Sequence, residues 1–360
     1  MVRIMMLKIF GLAAFVIASL SGAGYSSPLY ADEVKGKFFG AKETEFPQWF
    51  KESFLDLKED IQEANSNNKR LMLFFHQAGC PYCNALVERN LSQKNIEEKI
   101  RKNIDVIAIN MWGDKEITHV DGKRYSEKVF AEVLKVQFTP TLIFFNEAGE
   151  ILLRLNGYRS PQRFNLDLDY VIQQKETELS YRDFINAKRP VVKATRTLIK
   201  EDFYKSPPYD FSRRTGKPSA IFFEQKDCPN CEYLHKKVLV APQLRQLIGQ
   251  YDAVQLDMWS QTPVITPQGK QMTAREWAKA LDIKFAPSIV LFNSEGKEII
   301  RTEAFFKLFH NIGVFNYVLS GTYREQPSFQ RYLSDFAEQL REQGQDVDIW
   351  SVYGEKPASQ

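Results

Sequence analysis

The chain has four cysteines, arranged as two pairs of identical spacing: "GCPYC" carries Cys80 and Cys83, and "DCPNC" carries Cys228 and Cys231. Two cysteines three positions apart can form a structural disulfide, half of a zinc site, a haem attachment or an exchanging dithiol. Haem attachment needs a histidine directly after the second cysteine, and Asn84 and Glu232 stand there. A zinc site drawing on both pairs would be a four-thiolate set, yet 144 residues lie between Cys83 and Cys228, far beyond the usual ligand spacing. A purely structural disulfide stays open as an alternative, although so small a loop stabilises little. In the exchanging reading the reactive species is the thiolate, which free backbone N–H groups at a helix N-terminus stabilise. Cys80 and Cys228 are then the attacking nucleophiles. Cys83 and Cys231, one turn in and more covered, are the resolving thiols.

The elements that must position these pairs occur twice. "LMLFFHQAGCPYC" (71–83) aligns with "SAIFFEQKDCPNC" (219–231) at an offset of 148. Downstream the offset is 147: "INMWGD" (109–114) matches "LDMWSQ" (256–261), residues 121–150 match 268–297, and "LDYV" (168–171) matches "FNYV" (315–318). Identities fall at fixed positions, Met111 with Met258 and Trp112 with Trp259 among them, so the chain is a tandem duplication. In each copy a short Phe-rich run predicts a buried strand, and the cysteine pair follows where a helix begins, with Pro81 or Pro229 in its first turn. Helical spacing over 85–103 and 232–250 leads to a second buried strand at 105–111 or 252–258. A polar excursion, a helix, two strands joined by a Gly-containing turn and a last helix complete the copy. The pattern is βαβ followed by αββα, an α/β fold with a mixed central sheet flanked by helices.

Composition sets wider limits. With 44% hydrophobic and 26% charged residues in 360, the chain is ordinary globular material. Its net charge of +3, without a clustered basic face, gives no argument for nucleic acid or an anionic membrane as partner. Arg3 and Lys8 precede the apolar run "IFGLAAFVIASL" (9–20), which reads as a secretory signal rather than a bilayer span of about 20 residues. Cleavage is expected after Ala31, with Ala23 as the other candidate. The expected organisation is a signal at 1–31, domains at 32–188 and 189–346, and a solvated tail at 347–360. An exported chain works where disulfide chemistry is open to it, here the periplasm.

A strand ending just before Cys-Pro-x-Cys, with Thr139–Pro140 or Ala286–Pro287 about 60 residues on and directly before a strand, resembles the thioredoxin fold. The motifs "LFFHQAGCPYC", Met-Trp and "TPTLIFFNEAGE" are most similar to periplasmic thioredoxin-related proteins of the SoxW type. This resemblance implies two tandem thioredoxin-like domains, cis peptide bonds at Thr139–Pro140 and Ala286–Pro287, and substrate backbone pairing at Thr139 and Ala286 beside those prolines. It also exposes a departure. Thioredoxins carry a buried aspartate six residues before the nucleophile, and Phe74 and Phe222 stand there, which puts thioredoxin-like proton transfer in doubt.

The positions expected to tune the two dithiols differ between the copies. Pro81–Tyr82 and Pro229–Asn230 lie between the cysteines, and His76 and Glu224 lie four residues before the nucleophiles. A cationic His76 would favour the Cys80 thiolate and Glu224 would oppose the one at Cys228, giving unequal redox potentials. Trp112 and Trp259 are expected in the core, and His119, His235 and His310 as isolated residues. The functional expectation is a monomeric thiol–disulfide oxidoreductase acting on thiol or disulfide proteins, preferentially as a reductase. It needs no metal or organic cofactor and is recharged by a membrane electron donor of the DsbD or CcdA kind. A secreted two-domain chaperone or client-binding module with structural disulfides is the alternative.

Overall fold

The computed structural model describes residues 35–188, 197–304, 306–351 and 354. The expected signal and both cleavage positions lie outside them. The first copy is preceded by β1 (Phe38–Phe39) and runs α1 (Leu57–Ser66), β2 (Arg70–His76), α2 (Pro81–Leu86), α3 (Lys94–Asn103), β3 (Ile104–Asn110), β4 (Glu116–Thr118), β5 (Arg124–Ser126), α4 (Glu127–Val133), β6 (Thr141–Phe145), β7 (Ile151–Asn156), α5 (Pro161–Ile172) and α6 (Tyr181–Ala187). The second runs β8 (Tyr209–Asp210), β9 (Ser219–Glu224), α7 (Pro229–Tyr233), α8 (Pro242–Ile248), β10 (Asp252–Asp257), β11 (Pro263–Ile265), β12 (Gln271–Thr273), α9 (Ala274–Ala280), β13 (Ser288–Phe292), β14 (Glu298–Thr302), α10 (Leu308–Leu319) and α11 (Phe329–Glu342). A short β15 (Val347–Asp348) ends the series.

Each copy has the same four-stranded mixed sheet, ordered β3-β2-β6-β7 and β10-β9-β13-β14. The central strand pairs parallel on one side and antiparallel on the other, with Phe74 opposite Leu142 and Phe222 opposite Ile289. Side chains of β2 alternate between two faces that are both covered, so its continuous apolar run is required rather than an in-out alternation. Met72 and Phe74 enter one core; Leu71, Leu73 and Phe75 enter the other. In β9, Ala220 and Phe222 join the same first core, which is continuous across both copies, while Ile221 and Phe223 face a core confined to the second. The helix expected over 85–103 is interrupted by a π-turn at Val87–Leu91 before α3 begins.

The two copies meet about a pseudo-two-fold axis. Asn156 donates to Glu303 at 3.3 Å, although the two occupy equivalent positions 147 apart. Gly157 lies against Ala304, its own counterpart, at φ +70°, and a Cβ there would overlap that of Ala304. Away from the axis, contacts occur in reciprocal pairs: Arg159 lies 4.6 Å over the Phe285 ring, and the counterpart ring of Phe306 lies 4.7 Å from Phe138. A residue touching its own equivalent, flanked by exchanged pairs, is the signature of an isologous interface.

Two expectations need correction. Of the expected solvated tail at 347–360, residues 347–351 are packed: β15 pairs in parallel with β1, and Trp350 lies 5.0 Å from the Tyr82 ring. Trp112 and Trp259 are half-buried: each packs against the edge of its own copy's core and is covered on its other side by the other copy. Arg331 of α11 lies 5.0 Å over Trp112, and Arg182 of α6 lies 4.3 Å over Trp259. Their indole N–H groups donate to Gln77 and Gln225 at 2.9 Å. Periodicity marks such a ring as sheltered without saying by what.

Candidate functional site

Each cysteine pair opens a helix. Cys80 caps α2 with extended backbone, Pro81 takes the first helical position, and the Cys83 N–H donates to Cys80 Sγ at 3.1 Å. Cys228 does the same for α7, with the Cys231 N–H donating to Cys228 Sγ at 3.1 Å. Both pairs are closed as disulfides, Cα–Cα 5.3 and 5.2 Å. The turn before each nucleophile needs a left-handed residue. Gly79 supplies it at φ +67°, and Asp227 at φ +50°, a conformation that Asp tolerates better than most side chains.

The prolines fall where the resemblance implied. Thr139–Pro140 and Ala286–Pro287 are both cis and stand beside the disulfides. The Thr139 hydroxyl donates to Cys80 Sγ at 3.3 Å, and Cys228 Sγ lies 3.6 Å from the Ala286 carbonyl oxygen. All eight cysteine and proline-loop positions are thus brought together, four in each copy. At a closed disulfide, N–H and O–H groups directed at the outer sulfur are placed to hold the negative charge that develops there when the bond opens.

The tuning positions behave differently from expectation. His76 does not supply a positive charge: burial, and then the nearby Lys115, depress its pKa to about 4, so the imidazole is neutral at pH 7. Its ring packs 4.5 Å from Phe46 instead. Glu224 is not an isolated charge either. It is 1% exposed and lies 3.1 Å from His235 Nε2 through both oxygens, while His235 Nδ1 lies 2.8 Å from Glu201, which also accepts from Arg245 at 2.7 Å. Burial opposes the His235 charge, but its hydrogen bonds and Coulomb attraction to Glu224 and then Glu201 outweigh this and hold its pKa above the ordinary value. Gln255 donates to Glu224 at 3.2 Å.

His235, expected as an isolated residue, is therefore tied to Glu224, and through His235 so is Glu201, which sequence reasoning does not reach. The signal for His235 is present in the duplication: where the first copy has His76 and Val87, the second has Glu224 and His235, an acid and a base introduced together. Phe74 and Phe222, at the place of a thioredoxin's buried aspartate, are fully buried and apolar-packed. Glu224, by contrast, lines a depression of about 300 Å³ that also holds Cys228 and Cys231.

Tyr82 and Asn230, the variable residues inside the two motifs, also diverge. Asn230 is exposed, while Tyr82 is 2% exposed, and its hydroxyl accepts from the Lys307 N–H at 3.1 Å. Its ring meets Trp350, His310 and Phe306 edge-on at 5.0, 5.2 and 6.0 Å. Burial raises the Tyr82 pKa and lowers that of His310 to about 4, so both are neutral. Pro81 is buried and Pro229 exposed.

A duplicated βαβ–ββα sheet with a cysteine pair capping the first helix and a cis-proline opposite defines a thioredoxin-like protein. The thioredoxin-like domain family matches residues 57–172 and 211–307, more than half of the chain, and the protein belongs to that family. No curated protein matches. Among solved structures, a thioredoxin-fold protein from Helicobacter pylori is similar at 22% identity (TM-score 0.31), over 34% of this chain and 80% of that one. A Thermus thermophilus thioredoxin is similar at 21% (TM-score 0.26), over 38% and 87%. The C-terminal domain of Neisseria meningitidis DsbD is similar at 13% (TM-score 0.24), over 32% and 91%.

Proposed function

We propose that the chain is a periplasmic thiol–disulfide oxidoreductase, related to the SoxW-type proteins, that reduces protein disulfides through its two dithiols. The observation that carries this is the constellation at each pair: a helix-capping sulfur that accepts the N–H of its partner cysteine and sits beside the residue before a cis-proline. The attacking sulfurs are those of Cys80 and Cys228; Cys83 and Cys231 release the mixed disulfide by a second attack. The apolar stretch at 9–20 supports export. A reductant in an oxidising compartment has to be recharged, and a membrane electron-transfer protein of the DsbD or CcdA kind would supply the electrons.

The test is trapping. Cys83→Ala and Cys231→Ala leave a nucleophile that cannot be released, so mixed disulfides that a reducing gel dissolves should accumulate in at least one of the two variants. If neither variant accumulates them, the catalytic reading fails. A client-binding module, by contrast, would still protect clients from aggregation after Cys80→Ala and Cys228→Ala.

A further inference from the structure

The two dithiols present different surroundings. Cys80 and Cys228 are both buried, but Pro81, Tyr82 and Thr139 beside the first are buried too, whereas Pro229 and Asn230 beside the second are exposed and Ala286 is half-buried. The cause is the second copy. Tyr82 is seated on the segment after β14 and on Trp350, and α11 is fastened over the adjoining loop: Gln330 donates to the Gln137 carbonyl at 3.0 Å and accepts from Gln77 at 2.9 Å, and the Phe329 N–H donates to Gln137 at 3.0 Å. A partner laid against α7 meets Pro229 and Asn230 directly. A partner approaching α2 meets the second copy first.

What remains over Cys80 is a cleft of about 780 Å³ between the first disulfide and α11. That is within the roughly 300–1,000 Å³ of small-molecule sites. Its wall carries both signs of charge, Arg331 and Arg341 with Asp335 and Glu338. His310 lines it as well, and its buried Nδ1 has no hydrogen-bond partner.

We propose that the Cys80–Cys83 dithiol exchanges with low-molecular-weight disulfides bearing charges of both signs, of short-peptide size, and that the Cys228–Cys231 dithiol is the one that meets folded proteins. This rests on the proposed thiol–disulfide exchange activity. In the reducing direction the Cys80 thiolate attacks one sulfur of R–S–S–R, forming Cys80–S–S–R and releasing RS⁻. Cys83, deprotonated, then attacks Cys80 Sγ, closing the protein disulfide and releasing the second RS⁻. The two protons lost by the cysteines end on the two small thiols, so the dithiol is oxidised by two electrons and the small disulfide is reduced.

The experiment uses full-length chains with one dithiol each, Cys228→Ala/Cys231→Ala and Cys80→Ala/Cys83→Ala, reduced, freed of reductant, and mixed with oxidised glutathione or with insulin. The chain retaining Cys80–Cys83 is expected to react with oxidised glutathione but to reduce insulin at least about tenfold more slowly than the chain retaining Cys228–Cys231, the factor an opening equilibrium imposes when the competent state is a tenth populated. Tyr82→Asn, added to unlatch the roof, should raise that insulin rate. On the unsubstituted reduced protein, iodoacetamide should alkylate both nucleophiles and a polymer-linked maleimide only Cys228. Equal insulin rates, or polymer labelling of Cys80 as fast as of Cys228, overturn the proposal. If neither dithiol reacts with either disulfide, the exchange reading itself falls.

Discussion

Replacing His235 with valine, the residue at the equivalent position of the first copy, isolates the buried acid–base pair of the second. Both side chains are 1% exposed, and the substitution leaves the Glu224 carboxylate with Gln255 at 3.2 Å and Tyr204 at 3.5 Å. Removing one partner of a buried ion pair costs about 3–5 kcal/mol, because the other charge stays desolvated. Burial of the valine offsets about 1.5 kcal/mol of that. The net loss of about 1.5–3.5 kcal/mol corresponds to a melting point lower by roughly 3–14 °C for a unit of about 150–250 residues. The pH dependence has a definite sign. His235 is raised in the folded state, so its contribution is fully present below the unfolded imidazole value of about 6.5 and is lost as the pH rises through the higher folded value. The unsubstituted oxidised protein should therefore lose stability above about pH 6.5 with a slope that the valine variant lacks. Thermal unfolding followed by tryptophan fluorescence at a series of pH values measures both. Glu224→Gln combined with His235→Val should be less damaging than the sum of the single changes, since the pair is one unit. A loss below about 1 kcal/mol together with parallel pH curves would refute the reasoning.

Two further outcomes concern the axis and the first dithiol. Gly157→Ala should destabilise by about 2–4 kcal/mol, combining left-handed strain with overlap at the axis; Ala304→Gly should restore the steric part and leave the strain, as unfolding measurements on the single and double variants will show. Because His76 is already neutral at pH 7, His76→Ala should move the Cys80 thiolate pKa by far less than the roughly 1–3 units a contacting cation supplies, read from thiolate absorbance in the chain that retains only the first dithiol.

Much of the fold is legible in the sequence because the duplication doubles every local signal. Phe74 and Phe222, Cys80 and Cys228, and Pro140 and Pro287 recur at a nearly constant offset, and each type has a physical reason to stand there: a two-sided buried strand, a helix cap, a proline directly before a strand. What is not legible is what each sheltered residue is sheltered by. Trp112 and Trp259 have the pattern of core aromatics, but the surface that covers them comes from a helix more than 200 residues downstream in one case and 77 residues upstream in the other. The short β15 gives almost no periodic signal, and its partner β1 lies more than 300 residues away in the chain. The charge state of His76 is not legible either, because residue type reports an intrinsic pKa, whereas burial beside Phe46 decides the folded one.

The pseudo-two-fold axis explains why the two sites could diverge without loss of the fold. In a dimer of identical chains every substitution appears on both sides of the axis, so a residue that closes one site closes the other. Fusion of the copies removes that constraint. At the axis the two sides already differ, Asn156 against Glu303 and Gly157 against Ala304, and the differences are complementary: an amide donates to a carboxylate, and the missing Cβ makes room for the one present. The same logic extends outward to the sites. Tyr82 needs a receptor formed by Phe306 and His310 of the second copy together with Trp350 just beyond β15, and the position of Phe306 in the first copy is Arg159, which covers Phe285 instead. A tyrosine at position 230 would find no matching ring at Arg159, so asparagine there leaves the second disulfide's surroundings open. The buried Glu224–His235 pair is the second copy's own divergence, placed behind its disulfide where the first copy has only His76 and Val87. One site thus differs in the residues that surround it and the other in a buried acid–imidazole pair nearby, two features that exchange with different partners would draw on separately.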